Sequence, residues 1–327
     1  MSDLEVSAII CTHNREQYLG KAIDSLLAQD VRNFEAIVVD NASTDATRAV
    51  VDRRRDDDRL HYVYEAELGL STARNTGARV ARGRILAYLD DDAVASPQWL
   101  SVLVQAYREN DRLAVAGGKV TLIWPEHYTP PPWLSEGLAG NLGAYDLGDL
   151  PQAIEQPGLT PRGLNYSIRR TFLDQIGGFN PNLGRMGTKL LSNEELYVTE
   201  LALELGWQVF YLPEALVAHH VAPERLARSW FLQRGWWQGI SECYRDRLCG
   251  RTGWRQFGLA GERIARGVYK ALKSWPDPAR RFDNLVYAYG HLGYLTAAVS
   301  DLLSPSKTNL SESPVFTPER FKNRDGV

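Results

Sequence analysis

The sequence predicts an α/β fold, a mostly parallel sheet flanked by helices, followed by a helical C-terminal extension. Three observations carry this. Short β-rich runs alternate with helical stripes through the first third of the chain, the pattern of a parallel sheet with crossover helices. A Pro- and Gly-rich stretch breaks the alternation after Trp124. From Glu224 onward the pattern is helical.

Val6–Cys11 reads as the first strand, and Glu16–Ala28 sets Leu19, Ala22, Ile23, Leu26 and Leu27 on one helical stripe. Phe34–Asp40 is a second strand and Thr44–Arg54 a second helix. Leu60–Tyr64, Leu70–Ala81, Ile85–Leu89 and Pro97–Glu109 continue as strand, helix, strand, helix. Trp124–Pro161 has little periodicity and reads as a long excursion over the sheet, of the kind that carries function. Regular signals return at Leu164–Arg170 and at Glu194–Leu205, which closes on Gly206 as a helix C-cap does. Gln208–Leu212 is a further strand. Residues 224–281 hold 13 Lys/Arg against 5 Asp/Glu, with Trp230, Trp236, Trp237, Trp254 and Trp275 among them. The expected division is a sheet domain over 1–222, a basic, Trp-rich helical extension over 223–304 and a loose Pro/Ser-rich tail over 305–327.

With 327 residues, 44% hydrophobic and 24% charged, the composition excludes a wholly disordered chain. A net charge of −3 argues against a nucleic-acid binder. Cys11, Cys243 and Cys249 are odd in number and lack metal-ligand spacing, which excludes a disulfide framework and fits a reducing compartment. The N-terminus has neither a basic region nor an apolar one, so no signal peptide is expected. Leu285–Ser300 is too short for a spanning helix and holds two glycines. The expectation is a cytoplasmic protein without a membrane span.

Parallel sheets bind ligands at the carboxyl ends of their strands. Here those ends read Thr12-His13-Asn14-Arg15, Asp40-Asn41-Ala42-Ser43-Thr44-Asp45 and Asp90-Asp91-Asp92. Three consecutive carboxylates repel one another unless a hard divalent cation such as Mg²⁺ or Mn²⁺ compensates them. Asp40, Asn41 and Ser43 equally suit helix caps, and the Asp triplet equally suits a solvated turn. No Gly-x-Gly-x-x-Gly or Gly-x-x-x-x-Gly-Lys-Ser/Thr follows the first strand, so dehydrogenase and P-loop readings lose their main support.

These segments, with Gly-Leu-Ser-Thr-Ala-Arg-Asn-Thr-Gly (69–77), Leu-Asp-Asp-Asp (89–92), Gly-Gly-Phe (177–179), Glu-Glu (194–195) and His-His (219–220), resemble a family 2 glycosyltransferase of the GT-A fold over roughly residues 5–222. The resemblance implies inverting transfer of a sugar from a nucleotide-sugar donor, UDP- or dTDP-linked, to a saccharide or lipid-linked hydroxyl acceptor. It implies that Thr12 and Asp40 hold the nucleobase, with Asn14, Arg15, Asn41, Asp45 and Arg74 along the nucleotide. Asp90 and Asp91 would reach the ribose or donor sugar, and Asp92 the Mn²⁺ or Mg²⁺. His219 matches a metal-ligating position, with His220 next to it. Asn165 resembles the segment lining the donor sugar and acceptor. Glu195 matches the catalytic base, with Glu where Asp is usual, and Glu194 is its fallback. Ser192-x-x-Glu195 also fits a capping box. His13 is expected to position the loop, and Gly177-Gly178-Phe179 to be structural. Arg185 and Lys189 face phosphate or lie in a solvated loop.

The basic extension admits two readings, a helical bundle packing its tryptophans on the catalytic domain, or peripheral contact with an anionic membrane at its inner face. Two rival functions differ in class from the transferase. One is a catalytically silent sugar-nucleotide-binding scaffold of a polysaccharide assembly system. The other is a sugar-1-phosphate nucleotidyltransferase, disfavoured because no Gly-rich basic loop follows the first strand.

Overall fold

The computed structural model describes residues 4–187, 189–251 and 253–303; the expected 305–327 tail lies outside them. The elements in chain order are β1 (Val6–Thr12), α1 (Glu16–Leu27), β2 (Phe34–Asn41), α2 (Thr47–Asp52), β3 (Leu60–Glu65), α3 (Leu70–Val80), β4 (Ile85–Asp90) and β5 (Ala93–Ala95). They continue as α4 (Trp99–Glu109), β6 (Leu113–Ile123), α5 (Glu136–Ala139), β7 (Gln152–Ala153), β8 (Asn165–Arg169), α6 (Arg170–Ile176), α7 (Glu194–Glu204) and β9 (Gln208–His220). Three long helices close the described chain, α8 (Arg228–Leu248), α9 (Trp254–Lys273) and α10 (Pro278–Leu303).

One sheet runs β3-β2-β1-β4-β8-β6-β9-β5, with β7 paired to β9. The first four strands are parallel throughout, as expected. β8 then runs antiparallel to both β4 and β6, and β5 antiparallel to β9, so the whole sheet is mixed. β1 and β2 are buried on both faces and mostly apolar, because helices cover both sides. The core extends from Val6 to Val217.

Three departures from the sequence reading have local causes. α2 starts at Thr47 because the Asp45 carboxylate accepts the Thr47 N–H at 3.0 Å and holds the preceding residues in a loop. β6 was unforeseen because Gly117 and Gly118 dilute its strand signal; both lie against backbone carbonyls, of Asn165 and of Leu212 and Ala215, that leave no room for a side chain. β9 extends to His220, well past the expected Leu212, by pairing with β6 and β5.

The extension packs on the sheet domain. Phe231, Phe282 and Val286 share a cluster with Leu138, Leu142 and Val221. α8 and α10 cross where Gly235 and Gly239 meet Gly290, and Gly293 meets the Trp236 carbonyl. The absence of side chains lets the two backbones touch. No described helix is long and apolar enough to cross a membrane. A methyl group at Gly239 would strike the Gly290 carbonyl, so Gly239→Ala is expected to cost about 1–3 kcal/mol in chemical denaturation. Gly261→Ala, in open space on α9, should instead stabilise by up to about 1 kcal/mol.

Candidate active site

A cleft of about 640 Å³ opens at the carboxyl ends of the parallel strands and is bounded opposite by the start of α7 and one face of α8. It brings together Thr12, Arg15, Asn41, Arg74, Asp90, Asp91, Asp92, Glu194, Glu195 and His219. Residues separated by most of the chain therefore converge on one concave polar site.

The Asp triplet follows β4, and its members differ in environment. Asp92 Oδ1 lies 3.0 Å from His219 Nε2, and its Oδ2 accepts from Arg225 Nη2 at 3.2 Å. Burial alone would raise Asp92, but the bond to His219 and the charges of His219, Arg225 and Arg15 outweigh it and hold its carboxyl well below the usual range. Burial and the Asp92 charge push Asp91 up to about 8, against the Thr12 hydroxyl and Arg15. The same two causes raise Asp90, against Arg74, Arg185 and His219. Burial and mutual repulsion thus separate the clustered carboxylates, with Asp92 held low and Asp90 and Asp91 raised.

The acidic pair opens α7. Asn193 precedes it with φ of +83° and makes no side-chain cap. The capping box does not form, since the Ser192 hydroxyl donates to Gln238 and the Ser192 N–H to Ser241 Oγ. Both carboxylates turn to Arg74 on α3, whose Nη1 lies 3.0 Å from Glu194 Oε1 and 2.7 Å from Glu195 Oε1. Arg74 is buried, and the two glutamates and Asp90 keep it charged against the cost of burial. Burial and the neighbouring Glu195 charge push Glu194 up to about 8 despite Arg74. The Glu195 side chain is 15% exposed and that of Glu194 only 3%, so Glu195 is the member that faces the cleft. Gly163 lies against the Glu195 carboxylate and Arg74, and leaves no space for a Cβ.

Five residues expected to touch donor or metal do not line the cleft. Asn14 takes φ of +53° and accepts the Thr44 N–H, locking the first two strand-end loops together. Asp40 accepts the Tyr62 hydroxyl at 2.8 Å and the Ser43 N–H at 3.0 Å. Asp45 accepts the Glu16 and Thr47 N–H groups. Asn165 is buried in β8, where it accepts from Trp99 Nε1 at 2.8 Å and donates to the Ala215 carbonyl at 2.7 Å, tying the sheet together. His220 follows His219 on a strand, so it points to the opposite face, toward the Tyr18 ring.

Other expected residues also have defined places. Asn41 lines the wall through structural bonds, accepting the Gly69 N–H and donating to the Glu65 and Glu67 carbonyls. His13 Nδ1 lies 2.7 Å from the Asn41 carbonyl, a loop contact as expected. Gly177 and Gly178 take positive φ and turn the chain so that Phe179 packs edge-on against Tyr88. Arg185 lines the cleft, whereas Lys189 does not. Sequence reasoning missed Arg162, Arg225 and Arg234, which also line it. Arg234 lies on α8 in the stretch read as surface, and burial pushes it down to about 10. Only its place among the tryptophans, in a stretch too aromatic to be wholly solvated, hinted at burial.

The raised Glu194 sets a pH dependence. The folded state holds a proton on Glu194 that the unfolded chain releases from its ordinary value of 4.5, so this contribution to stability falls as pH rises toward about 8. Glu194→Gln removes that loss. Its stability relative to wild type, read by chemical denaturation, is expected to rise from about pH 5 to about pH 8, by more than about 1 kcal/mol.

Residues 7–160 match the family described as Glycosyl transferase family 2. The chain is 29% identical over 249 residues to the glucosyl-dolichyl phosphate glucuronosyltransferase of Haloferax volcanii, covering 75% of this chain and 78% of that protein. It is 27% identical over 306 residues to the succinoglycan biosynthesis protein ExoM of Rhizobium meliloti, covering 90% and 92%. Its fold is similar to that of the mannosyltransferase PcManGT of Pyrobaculum calidifontis, solved with GDP-Man and Mn²⁺, at a TM-score of 0.55 and 19% identity over 94% of this chain and 76% of that one. The fold, the ordered strand-end motifs and these similarities agree: the chain has the GT-A fold, and over residues 7–160 it resembles glycosyl transferase family 2.

Proposed function

We propose that this protein is an inverting, metal-dependent glycosyltransferase that moves a sugar from a UDP- or dTDP-linked donor to a hydroxyl of a saccharide or lipid-linked acceptor, in polysaccharide or glycolipid biosynthesis. The observation that carries the reading is the single cleft in which the Asp90–Asp92 carboxylates face the Glu194–Glu195 pair. In this reading one group of acids serves the donor and the other the acceptor.

Asp92 and His219 offer an oxygen and a nitrogen ligand on one side of the cleft. No group of three His, Cys, Asp or Glu side chains among the described residues forms a metal cage. That donor set fits a cation such as Mn²⁺ or Mg²⁺ that completes its shell with substrate phosphates and water. Bound there, it would stabilise charge on the diphosphate leaving group. The protein's own groups supply the rest. Thr12, Arg15 and the Asn41 turn wall the nucleotide side, and Arg185 and Arg225 add positive charge beside the triplet. Glu195 takes the acceptor hydroxyl proton as the oxygen attacks the donor's anomeric carbon, and the sugar–phosphate bond breaks on the opposite face. Arg74 fixes the orientation of Glu195, and Gly163 leaves it room. Peripheral contact with an anionic membrane suits a lipid-linked acceptor.

Thermal shift tests the donor site. UDP or dTDP with Mn²⁺ is expected to stabilise the wild type, by about 2.7 kcal/mol at a hundredfold excess over Kd, and Asp92→Ala to lose most of that. GDP and CDP should act less. Glu195→Gln should keep the nucleotide shift while transfer falls about 10²–10⁴-fold, and the product's anomeric configuration by NMR should be opposite to the donor's. Gly163→Ala should likewise lower kcat without loss of the nucleotide shift. Nucleotide binding with no turnover by wild type against any acceptor would favour the scaffold reading.

A further inference from the structure

The C-terminal hairpin has two unlike sides. α9 meets α10 through Ala260, Gly267 and Ala271, with Gly267 against Ala288. One position round α9 from that contact line lie Val268 and Leu272, followed beyond the helix by Trp275; Leu285 and Leu292 lie one helical repeat apart on α10. The connection between the helices is short and they run antiparallel, which turns both stripes to the same side. Leu272 is 64% exposed and Trp275 68%, values at which large apolar side chains are seldom left uncovered. Arg281 stands over the Trp275 ring at 4.9 Å.

The opposite flank of α9 is basic. Residues 255–281 hold seven Arg/Lys against two acids. Arg266 pairs with Glu262, and Arg280 with Asp277. Exposed Lys270 and Lys273 have no acidic partner among the described residues. An apolar stripe with aromatic edges, on a segment rich in Arg and Lys and with Arg281 at its Trp275 end, matches the interface of an anionic bilayer, in which the stripe enters the headgroup boundary and Arg281 reaches the lipid headgroups. A second copy docked here would bring together two segments that each hold seven Arg/Lys against two acids. The remaining chain from 304 is Pro- and Ser-rich, with few residues suited to fill the stripe.

We infer that the α9–α10 face docks the protein on an anionic lipid surface. α8 joins this face to chemistry, because α10 packs on it through Gly235 and Gly239 while its Arg234, Gln238 and Glu242 line the cleft. Docking therefore sets the cleft beside the bilayer from which a lipid-linked acceptor would be delivered. That purpose rests on the function proposed above, whereas the lipid contact does not.

The test is co-sedimentation of the full chain with phosphatidylcholine vesicles, with and without phosphatidylglycerol. Wild type is expected to bind the anionic vesicles, and more weakly as salt rises. The exposed double substitution Leu272→Glu/Trp275→Glu should abolish binding, and Arg281→Gln should weaken it about fivefold. Circular dichroism and the nucleotide-induced thermal shift, read on the same proteins, should be unchanged. Failure of wild type to bind, or variants that bind as well as wild type, would overturn the docking surface, and so would a dimer seen by ultracentrifugation that the glutamate pair dissolves. An intact nucleotide shift in any such outcome would leave the transferase reading standing.

Discussion

The site is organised by one buried cation. Arg74 lies on α3, within the parallel half of the sheet, and its guanidinium reaches both carboxylates at the start of α7, more than a hundred residues later. A charge removed from water must be paired, and breaking such a pair by deleting one partner costs about 3–5 kcal/mol. Arg74 is held further by the faces of Tyr88 and Phe179, with ring centroids 5.8 and 5.4 Å away. Phe179 is in turn gripped by Asn75, one residue along the same helix. The wall that carries the donor-side motifs is therefore tied to the acidic pair through a single electrostatic joint.

Burial does the second piece of work. The carboxylates and arginines of a polar cleft would ordinarily all be ionised. Low solvent access raises Asp90, Asp91 and Glu194, while His219 and Arg225 hold Asp92 charged. The site thus presents one strongly anionic position at the strand ends and one partly exposed glutamate at the start of α7. Arg225 donates to the second oxygen of Asp92. The positive charge demanded by the triplet is supplied in part by the chain itself.

The extension completes this arrangement. α8 contributes to the cleft, α10 locks onto α8 through glycines, and α9 carries the outer amphipathic face. The tryptophans of the basic stretch have unlike surroundings. Trp236 and Trp237 pack inward, while Trp275 stands in solvent.

The sequence by itself determined the β/α alternation, the parallel order of its first strands and the acids at their ends, because those signals are local. A period of two or of 3.6 and a polar strand end are written in consecutive residues. The tertiary structure alone decided the rest. β8 inserts against β4 in the opposite direction because pairing partners are chosen by packing, and that placement buries Asn165 between strands, outside the cleft lining. Asp45 and Asn14 were spent on loops for the same reason, since a short polar side chain caps the nearest free N–H unless a ligand competes. Arg225 reaches the cleft from the short segment between β9 and α8, and Arg234 from α8, whose local pattern says only that it is a helix. Long-range burial, which no window of sequence contains, is what gives those arginines their partners.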